Sequence, residues 1–356
     1  MSDIITVRSG EELNIELVHA FLLKNLPTIP LSQPLTISQF ATGASNLTYE
    51  LKIGEWEAVL RKPPLGPLAP KAHDMKREYM ILKALHPMFP IAPKPYLYSE
   101  DNTVVGSPFF IMERKHGLLI DTEFPNHVKE SKELGKQLSE QMVDTLVKLH
   151  EVNFKGTVLE ELSNPDGFME RQVYGWIKRY QRSKTEEVTG INELTKWLVD
   201  KIPTTEYSTV IHYDFKFNNA LFRDDLKELT GLFDWEMTTI GDPLADVGAA
   251  LSYWCQDDDP DLLKKGLGKP PITVKEGFYT RKQFIESYAK KSGRNVDQIH
   301  YYLTFAYFKL AVICQQIYYR YHNGQTSDAR FKYFNLYVKA LIQHALSISQ
   351  QPNQLR

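Results

Sequence analysis

The stretch from Val210 to Gly248, VIHYDFKFNNALFRDDLKELTGLFDWEMTTIGDPLADVG, constrains this chain more than any other. Two short apolar runs each deliver polar residues at their C-terminal ends. Val210–Ile211 leads to His212 and Asp214, and Leu229–Phe233 leads to Asp234. Asn219 stands five residues beyond Asp214. Polar groups at the ends of short buried strands come together once the strands pair. The residue types suit phosphoryl transfer. A carboxylate on a rigid loop, Asp214, can orient a hydroxyl and take its proton. The amide oxygen of Asn219 and the carboxylate of Asp234 are hard donors suited to Mg²⁺, which takes oxygen ligands and keeps several waters.

Protein kinases carry H-R-D-x-x-x-x-N and D-F-G in this order. Here the skeleton reads His212-Tyr213-Asp214, then Asn219, then Asp234-Trp235-Glu236, with Gly241-Asp242-Pro243 and Asp246 following. The segment therefore resembles the aminoglycoside phosphotransferase and choline kinase-like branch of the protein-kinase-like fold. More narrowly, it is similar to the kinase-like domains fused to acyl-CoA dehydrogenases in animals. The likeness extends over roughly residues 30 to 350. It departs at Tyr213, where the branch usually has glycine. Taken singly, Asp214 or Asn219 reads as a turn stabiliser; the ordered set is what points to chemistry. The resemblance implies Asp214 as base, His212 as brace of its loop, and Asn219 with Asp234 as Mg²⁺ ligands. It also implies Asp246 as a backbone-bonding support and Asp242 as its helper. Glu236 reads either as a supporting acid or as an added metal contact.

Upstream, alternation predicts strands over Leu35–Phe40, Leu47–Ile53 and Trp56–Arg61. The loop Thr42–Asn46 is by itself an ordinary hairpin tip. Gly43 would let its backbone approach a phosphate, and Ser45 and nearby amides could donate to phosphate oxygens. The family places a phosphate-covering loop at this point, ending as Ser45-Asn46-Leu47-Thr48-Tyr49 does, so Gly43, Ser45 and Asn46 are expected at the nucleotide. Arg61 stands where kinases carry the V-A-I-K lysine, with Lys62 as competitor; adjacent strand residues point to opposite faces. Its expected acidic partner is Glu78, on a helix over 72–85. The apolar strand Phe109–Glu113 occupies the hinge position, where Glu113 and its neighbours would meet adenine through the backbone.

Helices are expected over 9–26, with Ser9 and Glu12 as a capping box, and over 132–150, 166–184 and 189–200. Three more are expected near the C-terminus, over 280–291, 296–322 and 327–349. The aromatic stripe of the middle one reads as core. Arg171, Lys178 and Arg182 share a helix face, read as solvated or as an anion-acceptor surface.

A formal net charge of −2, with 24% charged residues, implies neither a nucleic-acid partner nor an anionic membrane. The two cysteines, Cys255 and Cys314, fit a reducing cytoplasm and offer no zinc spacing. The first residues lack the basic start and apolar core of a secretory signal, and no run of 18 apolar residues suggests a membrane span. The expected architecture is α+β, a two-lobed protein-kinase-like fold. It has a small antiparallel-sheet nucleotide-binding lobe over 1–115 and a mostly helical catalytic and acceptor-binding lobe over 116–356. The expected activity is that of an ATP- and Mg²⁺-dependent kinase of a small-molecule hydroxyl, an anionic acceptor included. Alternatives at this point are a hydroxy-acid or hydroxyacyl-CoA kinase specifically, an aminoglycoside 3'-type enzyme, and a catalytically inactive nucleotide-binding module.

Overall fold

The computed structural model describes residues 4–26, 29–30, 33–41, 46–66, 73–266, 268–326 and 328–350. The chain divides into two compact units. One comprises Met1–His116, Gly156–Leu162 and Thr230–Glu236; the other comprises Gly117–Lys155, Ser163–Leu229 and Met237–Arg356. A cut at 115/116 misses the two later segments that join the first unit, and Asp234 lies in one of them.

The first unit is built on β1 (Ile4–Ile5), α1 (Ile15–Asn25), β2 (Leu35–Phe40), β3 (Leu47–Ile53), β4 (Trp56–Lys62), α2 (Met75–Leu85), β5 (Pro95–Ser99), α3 (Asn102–Val105) and β6 (Phe109–Met112). Its sheet runs β1-β2-β3-β4-β6-β5 and is antiparallel throughout. The pairing of Leu47 with Lys62 and Ile53 with Trp56 fixes the central register. Because side chains alternate across a strand, Leu47, Tyr49, Leu51 and Ile53 share one face. They form a core with Val18 and Leu22 of α1 and with Leu60, Phe109 and Ile111. The start of α1 differs from the capping-box reading. Glu12 accepts the Gly10 amide at 2.8 Å, and the helix opens at Ile15 under Asn14, whose side chain accepts from the Leu17 amide. Leu17 faces solvent.

The second unit begins with β7 (Leu118–Leu119) and α4 (Lys132–His150). After α5 (Val158–Glu161), which belongs to the first unit, come α6 (Phe168–Ser183), α7 (Ile191–Asp200), β8 (Thr209–Ile211) and β9 (Ala220–Phe222). Beyond β10 (Leu229–Leu232) follow β11 (Thr239–Gly241), α8 (Pro243–Tyr253), α9 (Asp261–Lys265), α10 (Arg281–Ser292), α11 (Ile299–His322) and α12 (Phe334–Gln350). The buried α11 packs against α8, α12 and α6. Gly248 is what lets α8 approach it, since a β-carbon there would stand 2.7 Å from the Tyr302 backbone. The tyrosines and phenylalanines at 301, 302, 305, 307 and 308 are buried, as a core reading requires. No described helix is long and apolar enough to cross a membrane.

Candidate active site

In the first unit, strand alternation turns Leu60 into the core and Arg61 to the other face. The Arg61 guanidinium lies 3.2 Å from Glu78 of α2 and 2.5 Å from Asp234, with Glu236 at 3.9 Å. Burial alone would lower its pKa, but the three carboxylates outweigh burial and hold it charged. Burial pushes Glu78 up to about 7 against the pull of Arg61. The Arg61–Glu78 contact is made by Arg61 Nε and Glu78 Oε2, both buried. Lys62 points elsewhere and donates to the Val105 carbonyl. Asp234 sits just past β10 in a left-handed conformation, φ 69°. Its segment is tied down by Leu232 N–H to Ile91 O at 3.1 Å and by Trp235 packed edge-on to Phe89.

Asn46 donates to Glu236 at 3.0 Å and its carbonyl end meets His73 at 2.9 Å, so the Glu236 carboxylate faces both Asn46 and Arg61. Gly43 and Ser45 lie outside the described residues. The Glu113 carboxylate accepts from the Lys94 amide at 3.0 Å and pairs with Lys115 at 3.2 Å; its own amide donates to the Lys94 carbonyl. That side chain is engaged locally, at the end of β6.

In the second unit, β8 leads into the loop that carries His212, Tyr213 and Asp214. Asp246, fully buried in the first turn of α8, accepts the His212 amide at 2.7 Å and the Tyr213 amide at 2.8 Å. It also accepts His150 Nε2 at 3.2 Å, and His150 Nδ1 in turn takes the Tyr288 hydroxyl at 2.8 Å. Burial would raise the Asp246 pKa, but His150 and these amides reverse it, and the net direction is down. Asp242 caps α8 through the Leu244 amide at 2.9 Å, ahead of Pro243, and accepts the Tyr302 hydroxyl at 2.6 Å. Burial pushes its pKa up, opposed by Tyr302 and the Leu244 amide.

Tyr213 is left-handed, φ 67°, at the position where the family favours glycine. That conformation costs a non-glycine residue on the order of 1–2 kcal/mol. The imidazole of the buried His212 accepts the Asp214 amide at 3.3 Å. The Asp214 carboxylate is gripped by Asn219 Nδ2 at 3.0 Å and Lys216 Nζ at 2.9 Å, and burial together with the nearby Asp214 charge raises the Tyr253 hydroxyl well above its ordinary range. Asn219 also donates to the Asp214 carbonyl at 2.9 Å from the 3-10 turn Phe217–Asn219.

Three residues of this site escaped the sequence reading. Lys216 stood in view two positions after Asp214. Lys309 was the one basic residue in the interior of an otherwise apolar helix. Tyr253 carried no signal, being one aromatic among many. On α6, the expected basic face is partly spoken for: Arg171 donates to the carbonyls of Asn164 and Asp166, and Arg179 stacks on Trp176 at 4.5 Å.

The profile of the phosphotransferase enzyme family matches residues 36–268. The chain belongs to that family. It is 30% identical over 357 residues to human acyl-CoA dehydrogenase family member 11, covering 98% of this chain and 45% of that protein. With mouse acyl-CoA dehydrogenase family member 10 the identity is 31% over 310 residues, 86% of this chain and 28% of that protein. The chain thus spans less than half the length of these relatives. A solved structure of a putative aminoglycoside phosphotransferase from Ralstonia eutropha superposes with TM-score 0.79 at 23% identity, covering 96% of this chain and 99% of the other. An aminoglycoside phosphotransferase in ternary complex with ADP and hygromycin B superposes at 0.58 and 14%, covering 93% and 98%. The fold is that of the kinase-like phosphotransferases, with a small antiparallel-sheet unit and a mostly helical one.

Proposed function

We propose that this phosphotransferase is an ATP- and Mg²⁺-dependent kinase of a small anionic hydroxyl compound, a hydroxy acid or its acyl thioester, with Asp214 as the base. The observation that carries the reading is a cavity of about 390 Å³ in the second unit, lined by Lys216, Phe217 and Tyr253 of the Asp214 surroundings and by Asp121, Lys264 and Lys269. Its size suits a small molecule. Three lysines line it, Lys216 paired with Asp214, Lys264 with Asp261, and Lys269, and their ammonium groups can receive an anionic group, whereas a polycationic aminoglycoside would meet like charge at each of them. The acyl-CoA dehydrogenase names of the relatives support acyl chemistry. A larger hollow of about 660 Å³ between α6 and α7 shares no lining residue with the Asp214 loop and is not the acceptor site in this reading. Two buried free thiols, Cys255 and Cys314, support a cytoplasmic setting.

In the proposed reaction, the acceptor oxygen attacks the γ-phosphorus while its proton passes to Asp214. The bond from that phosphorus to the β–γ bridging oxygen breaks, and ADP leaves. Lys216 pairs with Asp214 and orients it, and Arg61 meets the phosphates, kept cationic by Glu78. Each of the two expected ligands has an oxygen of the kind a magnesium ion takes. Asn219 turns its Nδ2 toward Asp214, which leaves Oδ1 as its acceptor end, and Asp234 offers a carboxylate. When bound, Mg²⁺ would neutralise charge on the phosphate oxygens.

The test is ADP release with Mg·ATP across hydroxy acids, hydroxyacyl thioesters, aminoglycosides, choline-like alcohols and sugars. Anionic hydroxyl compounds should stimulate release above the water baseline. Stimulation by aminoglycosides or choline-like alcohols alone, or ATP binding with no transfer to any acceptor, would overturn the proposal.

A further inference from the structure

Lys309 lies in the middle of α11, buried, and the reaction above does not use it. Its Nζ donates to the Tyr213 carbonyl at 3.0 Å and stands 3.4 Å from the centre of the Tyr213 ring, with the Trp176 ring at 5.8 Å. Among the described residues it thus meets a carbonyl and two aromatic faces, with no carboxylate at ion-pair distance. A buried ammonium is costly unless something specific holds it, so its neighbours indicate its task. Tyr213 is the residue immediately before Asp214 and sits in the left-handed region without being glycine. Its amide is taken by Asp246, and its carbonyl and ring are taken by Lys309.

We infer that Lys309 is a positioning residue: with Asp246 it clamps Tyr213 from both ends in the left-handed conformation that aims the Asp214 carboxylate. The clamp substitutes for the conformational freedom that a glycine at this position would provide. The inference rests on reading Asp214 as the base. The charged groups facing Lys309 are Asp214 and Lys216 of the loop, Asp246 of α8 and Arg179 of α6. Burial pushes the amine down to about 8, the two carboxylates oppose this, and Lys216 and Arg179 add to it. Loss of its proton on the alkaline side weakens both the cation–π contact and the charge-assisted bond.

The test uses the full chain with Mg·ATP and water as acceptor, read by ADP release, together with amide hydrogen exchange over 212–219. Lys309→Met should lower kcat at least about tenfold while the KM for ATP stays within about twofold, as misaiming a catalytic group does. Lys309→Arg should recover part of the loss. In a Tyr213→Gly background the same Lys309→Met change should alter kcat less than about threefold, because glycine needs no clamp. Tyr213→Asn, which also tolerates this region, is the second background if the glycine variant folds poorly. The alkaline limb of kcat near pH 8 should vanish in both double variants. Exchange over 212–219 should quicken in Lys309→Met and return toward wild type in the double variants. Unchanged exchange and kcat in Lys309→Met overturn the clamp, as does a loss of kcat that neither background relieves. Exchange that behaves as expected in a wild type that transfers nothing, even to water, leaves the clamp standing and removes the kinase reading instead.

Discussion

Asp246→Asn offers a sharp probe of the catalytic loop, because it changes one atom at a site with no solvent. The carboxylate accepts the Tyr213 amide on Oδ1, and the His212 amide and His150 Nε2 on Oδ2. An asparagine has one acceptor end. Its NH₂ must then face at least one of these donors, and the remaining bonds lose their charge assistance. A hydrogen bond to a charged group contributes roughly 1.5–3 kcal/mol, and a stranded buried donor costs about 1–3 kcal/mol. The variant should therefore lose on the order of 3 kcal/mol, a large share of the roughly 5–15 kcal/mol typical of folded proteins. Urea unfolding followed by tryptophan fluorescence measures this, since Trp254 closes α8. Turnover should fall by about 10² or more, because a base tilted by an ångström loses near-attack geometry. The buried site makes both effects insensitive to salt. Because the wild-type Asp246 pKa is depressed, its stabilisation is present above the ordinary aspartate range and is lost as pH falls through the folded value. The variant should lack that acid limb. A stability change under about 1 kcal/mol with kcat within about threefold would refute the reasoning.

Arg61→Met should weaken Mg·ATP binding at least about tenfold by calorimetry, since it removes the proposed phosphate contact and strands Glu78 and Asp234; Arg61→Lys should recover only part, lacking the fork. Reversing the cavity charge with Lys269→Glu should raise the KM for an anionic acceptor and flatten its dependence on salt, with the KM for ATP steady; no change in acceptor KM counts against this cavity. His150 and His344 both have pKa values lowered by burial, His344 to about 4, so the unfolded chain takes protons first. Stability should accordingly drop as pH falls below about 6.5, and a flat profile from pH 7 to 5 would contradict this. Tyr302→Phe removes the donor to buried Asp242 and should cost roughly 1.5–3 kcal/mol in urea unfolding; a neutral result would show that Asp242 does not need it.

Where the chain repeats a pattern, its sequence displays its structure. Helical periodicity placed α4 over 132–150, where Leu138, Met142, Leu146 and Leu149 are buried, and alternation set the bounds of β2 and β3. The start of α1 misled because Ser9 and Glu12 have the right spacing for a capping box, yet Glu12 bonds Gly10 in a preceding turn and Asn14 does the capping. The Asp214 loop was legible because its residues are sequence neighbours. Lys309 and Tyr253 were not, since they reach the loop from helices that begin 85 and 29 residues after Asp214, and nothing local reports which turn of a helix faces it. The choice between Arg61 and Lys62 likewise needed the sheet register, which sends one to Glu78 and the other to the Val105 carbonyl.

The central claim is that Asp214 takes the acceptor proton. Single-turnover transfer from labelled Mg·ATP by Asp214→Asn, with nucleotide binding measured on the same sample, tests it most directly. The account predicts an ATP affinity within a few-fold of wild type and a transfer rate lower by about 10²–10⁴. Transfer at near wild-type rate would mean that the proton leaves by another route and that the loop described here is scaffolding.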